Sequence, residues 1–439
     1  MPSILSIKPE DVDTAEKRAK YTVSVVGCGQ RGILFANAFA EAGFSVICSD
    51  ANASIAKKVA KGKTILAQTE AETKLKNNVS RGQICVSSER KKAVSQSDII
   101  VIAVGTKINN QKKPDFTQIV SAAKQVGAAL HQGSLVIYSG VASLGFVEGT
   151  LKETLENNSA LKAGSDFGLA YSPTLGKNGS LTSVELKIAG INQTSQEAAF
   201  IVLKTLTKKV KEAPEIKTAE AAALFSIARR DASRALANEL AVFCENARID
   251  YFKVLKQLDL NEQSFVPAVL EEENQEEAFL LLDNAEILNV KLRIPLLARV
   301  INAGMVKHAV NLTQNAMKRS GRTLRRAKIA VLGASSTLCL FNELVKALES
   351  KGAKICLYDP QLKDNLQDGV AVKNALSEAV EGADCIMILS EHESLKCLNL
   401  KKLRTLMRMP AVVVDLTGEL DGKKVETEGF IYSGFGKES

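Results

Sequence analysis

Apolar and polar positions along this chain change period several times, and each change marks an element. Residues 22–26 form a short β-branched run, and a Gly27-Cys28-Gly29-Gln30-Arg31-Gly32 turn follows. Apolar residues then recur at helical spacing through Ile33, Leu34, Ala36, Ala38 and Phe39. Gly43 stops that helix, and residues 44–48 read as a second strand ending at Ser49-Asp50. Further strands are predicted at 99–104, 135–138, 167–171 and 184–188. From Thr218 the pattern turns helical. Residues 220–247 form an Ala-rich stretch without glycine or proline, and a second helix-rich stretch covers 276–319, with an interruption predicted near Pro295. Strand patterning resumes at Lys328. Residues 329–332 lead into Gly333, and 355–358, 385–389 and 411–415 follow.

The alternation predicts an α/β protein of three domains. A short N-terminal arm (1–20) precedes an N-terminal Rossmann domain (21–212), a helical middle dimerisation domain (213–325) and a C-terminal Rossmann-like domain (326–439). The middle helices carry Ala, Leu and Phe on more than one face, which predicts a homodimer built through them.

Composition narrows the class. With 46% apolar and 24% charged residues, disordered and fibrous classes are excluded. No apolar run reaches membrane-spanning length. The first twenty residues carry mixed charge and no apolar core, so no secretory leader is expected and the protein is read as soluble and cytoplasmic. The net charge of +8 is scattered, which suits anionic small molecules and gives no basis for nucleic-acid binding. None of the eight cysteines forms a C-x-x-C pair and most lie in apolar runs, so neither disulfides nor a zinc site is expected. His131, His308 and His392 are far apart in sequence and predict no metal site.

The chemistry lies in the first βαβ unit. Gly27 allows a tight turn after the strand, Gly29 lets a pyrophosphate approach the backbone, and Gly32 lets helix and strand pack closely. The helix start, including Gln30, offers free N–H groups to phosphates. Asp50 stands where a carboxylate accepts hydrogen bonds from both ribose hydroxyls and repels a 2′-phosphate, so NAD is expected over NADP. Arg31 is unusual within such a turn. Two readings are open for it: added charge at the pyrophosphate, or a side chain in solvent. Thr106 and Ser139 fall at strand ends, where α/β sheets bind ligands, although such residues also serve as caps and turn formers.

Several segments together resemble the UDP-glucose/GDP-mannose dehydrogenases, including UDP-N-acetylmannosamine dehydrogenases. These are residues 23–27 through Asp50, residues 97–106, and Asp166-Phe167-Gly168-Leu169-Ala170-Tyr171-Ser172-Pro173. They also include Thr218-Ala219-Glu220-Ala221-Ala222, Arg230-Asp231, residues 236–240, 384–389 and 429–436. The resemblance implies a four-electron oxidation of a sugar alcohol to a carboxylate, through a cysteine thiolate with a lysine and an aspartate-bound water. It also implies a nucleotide-sugar ligand.

The residues for that chemistry are not matched. The family's cysteine lies in a G-G-x-C-x-P-x-D segment, yet residues 250–293 contain neither cysteine nor glycine. In their place stand Phe265-Val266-Pro267-Ala268-Val269-Leu270 and an acidic run at 271–277, read as a solvated loop or helix start. The family's lysine aligns with Ala223, its asparagine with Ile227, its glutamate with Thr174 and its arginine near Thr417. The substrate stretch after the second glycine turn is shortened, because Gly333-Ala334-Ser335-Ser336 runs almost directly into a helix. Cys244, Cys339 and Cys385 read as inert core thiols. Arg229, Arg230 and Arg234 either hold a diphosphate, pair with acids at a subunit contact or face solvent.

No catalytic residue is therefore assigned. The expected function is an NAD-binding family member, degenerate in uronic-acid formation, that serves as a binding or assembly scaffold. The alternative is an active NAD-dependent oxidoreductase on a UDP-sugar or related CH-OH substrate by altered chemistry.

Overall fold

β-Branched residues favour extended backbone, and Thr22–Val26 (β1) forms the centre of the first sheet with four of its five side chains buried. The computed structural model describes residues 3–64, 70–174, 181, 184–258, 265–269, 277–333, 341–359, 366–367, 370–389, 395, 398–418 and 420–437. The chain divides into two compact units, Met1–Ile227 with Glu276–Lys291, and Ala228–Gln275 with Leu292–Ser439.

In the first unit β1 lies between Ser45–Ser49 (β2), which is followed outward by Ile84–Val86 (β3), and Ile99–Ile102 (β4). A small hairpin, Lys107–Ile108 (β5) with Pro114–Asp115 (β6), follows β4. The sheet continues through Leu135–Tyr138 (β7), Gly168–Tyr171 (β8), Leu186–Gly190 (β9) and Val210–Glu212 (β10). All neighbours are parallel except β8 and β9. Strand order reverses between β1 and β4, which opens the crevice where doubly wound sheets take their ligands. One face packs on Phe35, Phe39, Leu75 and Leu203, the other on Ile119, Val126, Leu151 and Leu155. The N-terminal arm is docked, with Ile4, Ile7 and Val12 in the first of these cores.

In the second unit Lys328–Leu332 (β11) begins another sheet, with Lys354–Tyr358 (β12), Leu366–Gln367 (β13), Val370–Lys373 (β14), Cys385–Ile388 (β15), Val412–Asp415 (β16) and Ile431–Gly434 (β17). Its order is β13-β14-β12-β11-β15-β16-β17, with only the β13–β14 pair antiparallel. The two units repeat one device. Asp98 accepts the N–H that opens β1, from Thr22 at 2.9 Å, and Asp384 accepts the N–H that opens β11, from Lys328 at 2.9 Å. Gly27 and Gly333 both adopt positive φ where the first strand of each sheet ends.

The middle helices run Ile216–Ala247, Ala278–Ile287 and Arg293–Arg319. The expected break at Pro295 is not there. Pro295 sits in the first turn of Arg293–Arg319, where its missing N–H would have had no partner, and the chain instead breaks at 288–292, with Asn289 left-handed. The N-terminal Rossmann domain, helical middle and C-terminal Rossmann-like sheet are the fold class expected from the sequence. No helix among the described residues is long and apolar enough to cross a membrane.

Candidate cofactor and active site

The glycine turn is built as its spacing requires. Gly27 has φ +97°, and a Cβ there would lie 3.0 Å from Val104. A Cβ on Gly32 would lie 1.8 Å from the carbonyl oxygen of Gly27, so helix and strand approach at a distance only glycine permits. Around Gly29 there is nothing within 4 Å of an added Cβ. Gly29 is also the N-cap of the Gln30–Ala42 helix and supplies no side-chain cap, which leaves first-turn N–H groups for a ligand. Asp50 closes the far side. Its carboxylate accepts the N–H of Cys28 at 2.7 Å and that of Asn52 at 2.8 Å. An adenosine diphosphate fits this arrangement, with open space over Gly29, free donors and a carboxylate beyond β2.

Beyond β4 the Arg31 side chain lies against the chain. Both sequence-based readings of Arg31 give way to a third. Its side chain is only 12% exposed and turns inward to an ion pair with Glu277 at 2.5 Å. Nε of Arg31 also donates to the Thr174 carbonyl at 3.2 Å. A Cβ on Gly105 would lie 3.0 Å from Nη1 of Arg31, so the guanidinium stands against the chain just after β4. Tyr138 and Tyr171 stack beside it with ring centroids 5.8 Å apart, and desolvation raises both phenol pKa values.

The acidic run is corrected at one position. Glu277 is not a solvated surface carboxylate but 7% exposed, held by Arg31. Residues 271–276 lie outside the described residues, as do Ala334-Ser335-Ser336, Cys339, His392 and Cys397.

Ser139 follows β7 directly, whereas β4 ends at Ile102 and Thr106 lies in the segment after it; both hydroxyls turn to the backbone. Thr106 donates to the Val141 carbonyl at 2.7 Å and Ser139 to that of Ile102 at 3.3 Å. Thr174, Ala223 and Ile227 are all buried, the latter two at 1% and 2% exposure. Neither an alanine nor an isoleucine donates a hydrogen bond or moves a proton.

Glu220 accepts the N–H groups of Gly145 at 2.5 Å and Val147 at 3.0 Å. Burial pushes its pKa up to about 7 against the pull of those two donors.

The Cys28 thiol is raised by its hydrogen bond with Cys48 and by burial, and desolvation raises Cys244 and Cys385. Of the arginine trio, Arg229 is exposed while Arg230 and Arg234 are half-buried. Among the described residues no group of three or more His, Cys, Asp or Glu could hold a metal.

Sequence reasoning missed Glu277, Glu220 and the tyrosine pair as parts of one buried polar cluster. A legible signal existed for one of them. An arginine inside a tight glycine turn has little room for solvent on the strand side, and an acid elsewhere in the chain then becomes its expected partner.

In the second unit a cavity of about 440 Å³ is lined by Glu245, His308, Asn311, Asn315, Arg319 and Ser433, among others. Glu245 is already engaged by His308 at 3.0 Å and by the Gly436 N–H at 2.9 Å.

Comparison with known proteins follows this geometry. The UDP-glucose/GDP-mannose dehydrogenase family, NAD binding domain, matches residues 21–206, and the same family's UDP binding domain matches residues 341–422. The UDP-N-acetyl-D-mannosamine dehydrogenase of Pyrococcus horikoshii is 25% identical over 436 residues, covering 94% of this chain and 99% of that protein. The UDP-glucose 6-dehydrogenase TuaD of Bacillus subtilis is 24% identical, covering 94% and 93%. Among solved structures, the Pyrococcus horikoshii UDP-D-ManNAc dehydrogenase superposes with a TM-score of 0.83 at 24% identity, covering 95% of this chain and 99% of that chain. A UDP-glucose dehydrogenase from Pyrobaculum islandicum gives a TM-score of 0.80 at 21% identity, covering 95% and 98%. NAD is the cofactor of the first domain, and the chain belongs to the UDP-glucose/GDP-mannose dehydrogenase family.

Proposed function

We infer that this chain is a member of its family that keeps the NAD domain and lacks the oxidation to the uronic acid, acting as a binding or assembly scaffold. One observation carries the reading. The positions aligned with the family's lysine and asparagine are the buried, apolar Ala223 and Ile227, and no cysteine lies between residues 250 and 293. An aldehyde gives up a second hydride only after a nucleophile has made it tetrahedral, and this chain has no thiolate at that place. Gly27, Gly29, Gln30, Gly32 and Asp50 hold the adenosine end of NAD, and Thr106 and Ser139 lie in the segments after β4 and β7.

Relatives named for UDP-N-acetyl-D-mannosamine and UDP-glucose make a nucleotide sugar the second ligand class for the C-terminal domain. The scaffold is a homodimer through the middle helices. On the central helix Leu236, Leu240 and Phe243 form an exposed stripe at helical spacing, with Phe243 64% exposed, and Ile294, Leu297 and Val300 do the same on the next long helix of that unit. The described cysteines are free thiols, which suits a cytoplasmic protein.

A second reading, an oxidoreductase of altered chemistry, draws support from Glu220, whose pKa of about 7 suits a general base. Its two oxygens are engaged by backbone N–H groups, which favours the first reading. Titration calorimetry with NAD and NADP, joined to an assay for NADH production from UDP-sugars, tests the proposal. NAD binding without turnover supports the scaffold, and one NADH per sugar with a trapped aldehyde supports the alternative.

A further inference from the structure

We propose that the dinucleotide crevice holds its ligand by the adenosine diphosphate end alone, with the nicotinamide ring kept out by the Arg31–Glu277 pair. The inference rests on the NAD-domain reading and deepens it.

A doubly wound sheet binds a dinucleotide in two halves, one on each side of the point where strand order reverses. Here the first half lies over β1, β2 and β3, and the second over the ends of β4, β7 and β8. The first half is open. Gly29 has no atom within 4 Å of an added Cβ, and the helix behind it has no side-chain cap.

The second half is occupied by the chain itself. Arg31 leaves the glycine turn, passes against Gly105 at the end of β4, and donates to the Thr174 carbonyl after β8. Its charge ends on Glu277, at the start of the Ala278–Ile287 helix. One side chain thus spans the strand ends on which the second ring would have to rest.

The pair is costly to displace, because swinging Arg31 out would strand the Glu277 carboxylate at 7% exposure without its cation. A ligand with one adenosine and a diphosphate satisfies the open half completely. ADP, ADP-ribose and NAD share that chemistry, and the arms of the experiment separate them.

The test is titration calorimetry of the full chain with NAD, ADP-ribose and ADP. The expected result is equal affinity for NAD and ADP-ribose within about twofold, because the ring contributes no contact. NAD binding about tenfold or more tightly than ADP-ribose would overturn the proposal while leaving the NAD-domain reading intact. Heat from none of the three would overturn both.

A second arm uses the double variant Arg31→Val/Glu277→Gln, which removes both charges together. A gain of about fivefold or more in NAD affinity relative to ADP-ribose is expected, and an unchanged ratio in the folded variant would overturn the role of the pair. Should that variant not fold, iodide quenching of NADH bound to the unaltered protein decides. Quenching as strong as for free NADH means the ring lies outside, and protection from iodide overturns the proposal.

Discussion

Arg31 and Glu277, separated by 246 positions in sequence, form a buried ion pair at 2.5 Å. Removing one partner of such a pair leaves an uncompensated buried charge, whereas replacing both with apolar groups of similar volume is often neutral. Glu277→Ala is expected to lower stability by about 3–5 kcal/mol, and Arg31→Met/Glu277→Leu to recover most of that loss. Urea denaturation of the three proteins checks this. Equal losses in the single and double variants would contradict it.

The glycines of the turn differ in what they tolerate. Gly32→Ala forces a methyl group to within 1.8 Å of the Gly27 oxygen and is expected to disrupt the first βαβ unit. Gly29→Ala meets no protein atom within 4 Å and is expected to fold with stability changed by less than about 1 kcal/mol. Its methyl group enters the space a pyrophosphate would use, so NAD affinity should fall about tenfold or more. Thermal melts paired with calorimetry separate the two effects. A Gly29→Ala protein that is fully folded and binds NAD normally would contradict the placement of the diphosphate.

Glu220 predicts a pH dependence of stability. Its folded pKa stands at about 7 against an ordinary value of 4.5, so the folded state keeps a proton that the unfolded state has released. Between these two values the native chain binds more protons, and stability falls as pH rises, then levels off above the folded pKa. The total is at most on the order of 3 kcal/mol. The stability of the unaltered protein minus that of Glu220→Gln should therefore shrink from about pH 5 to about pH 8. A difference that stays flat or grows would contradict the raised pKa.

A buried polar network in the second unit is expected to matter more for stability than the surrounding ion pairs. Asn302 donates to the Asp231 carboxylate at 2.9 Å and accepts from Asn238 at 3.0 Å, while Asn238 accepts the Ala268 N–H at 2.8 Å. Arg299 lies 3.1 Å from Asp231. Asn302→Leu leaves the amide of Asn238 and part of the Asp231 carboxylate unsatisfied, at a cost of about 2–4 kcal/mol. Chemical denaturation reads this directly, and a loss below about 1 kcal/mol would show that the network is not cooperative.

What could be read beforehand was what local pattern determines. The glycine turn, the β1 and β7 strands and the long central helix follow from residue type and period. The short edge strands Ile84–Val86 and Val210–Glu212 were missed, since three residues carry too little periodicity to register. The break assigned to Pro295 failed because proline is harmless in a first helical turn. That Arg31 needed a buried acid was legible from the tight turn, but which acid was out of reach for a different reason. Nothing local to either residue encodes a partner so distant, and a run of acids ordinarily stays in water. The reading of Ala223 and Ile227 as standing where the family has a lysine and an asparagine came only through resemblance, and the structure adds that both side chains are buried.

The central claim is that the chain keeps the NAD domain but does not carry out the four-electron oxidation. It is tested most directly by following NADH absorbance with UDP-, GDP- and dTDP-sugars, with an active family member as control. The expected result is no NADH above background from any sugar, in a preparation whose NAD binding has been verified by calorimetry. Two NADH formed per UDP-sugar consumed would contradict the account.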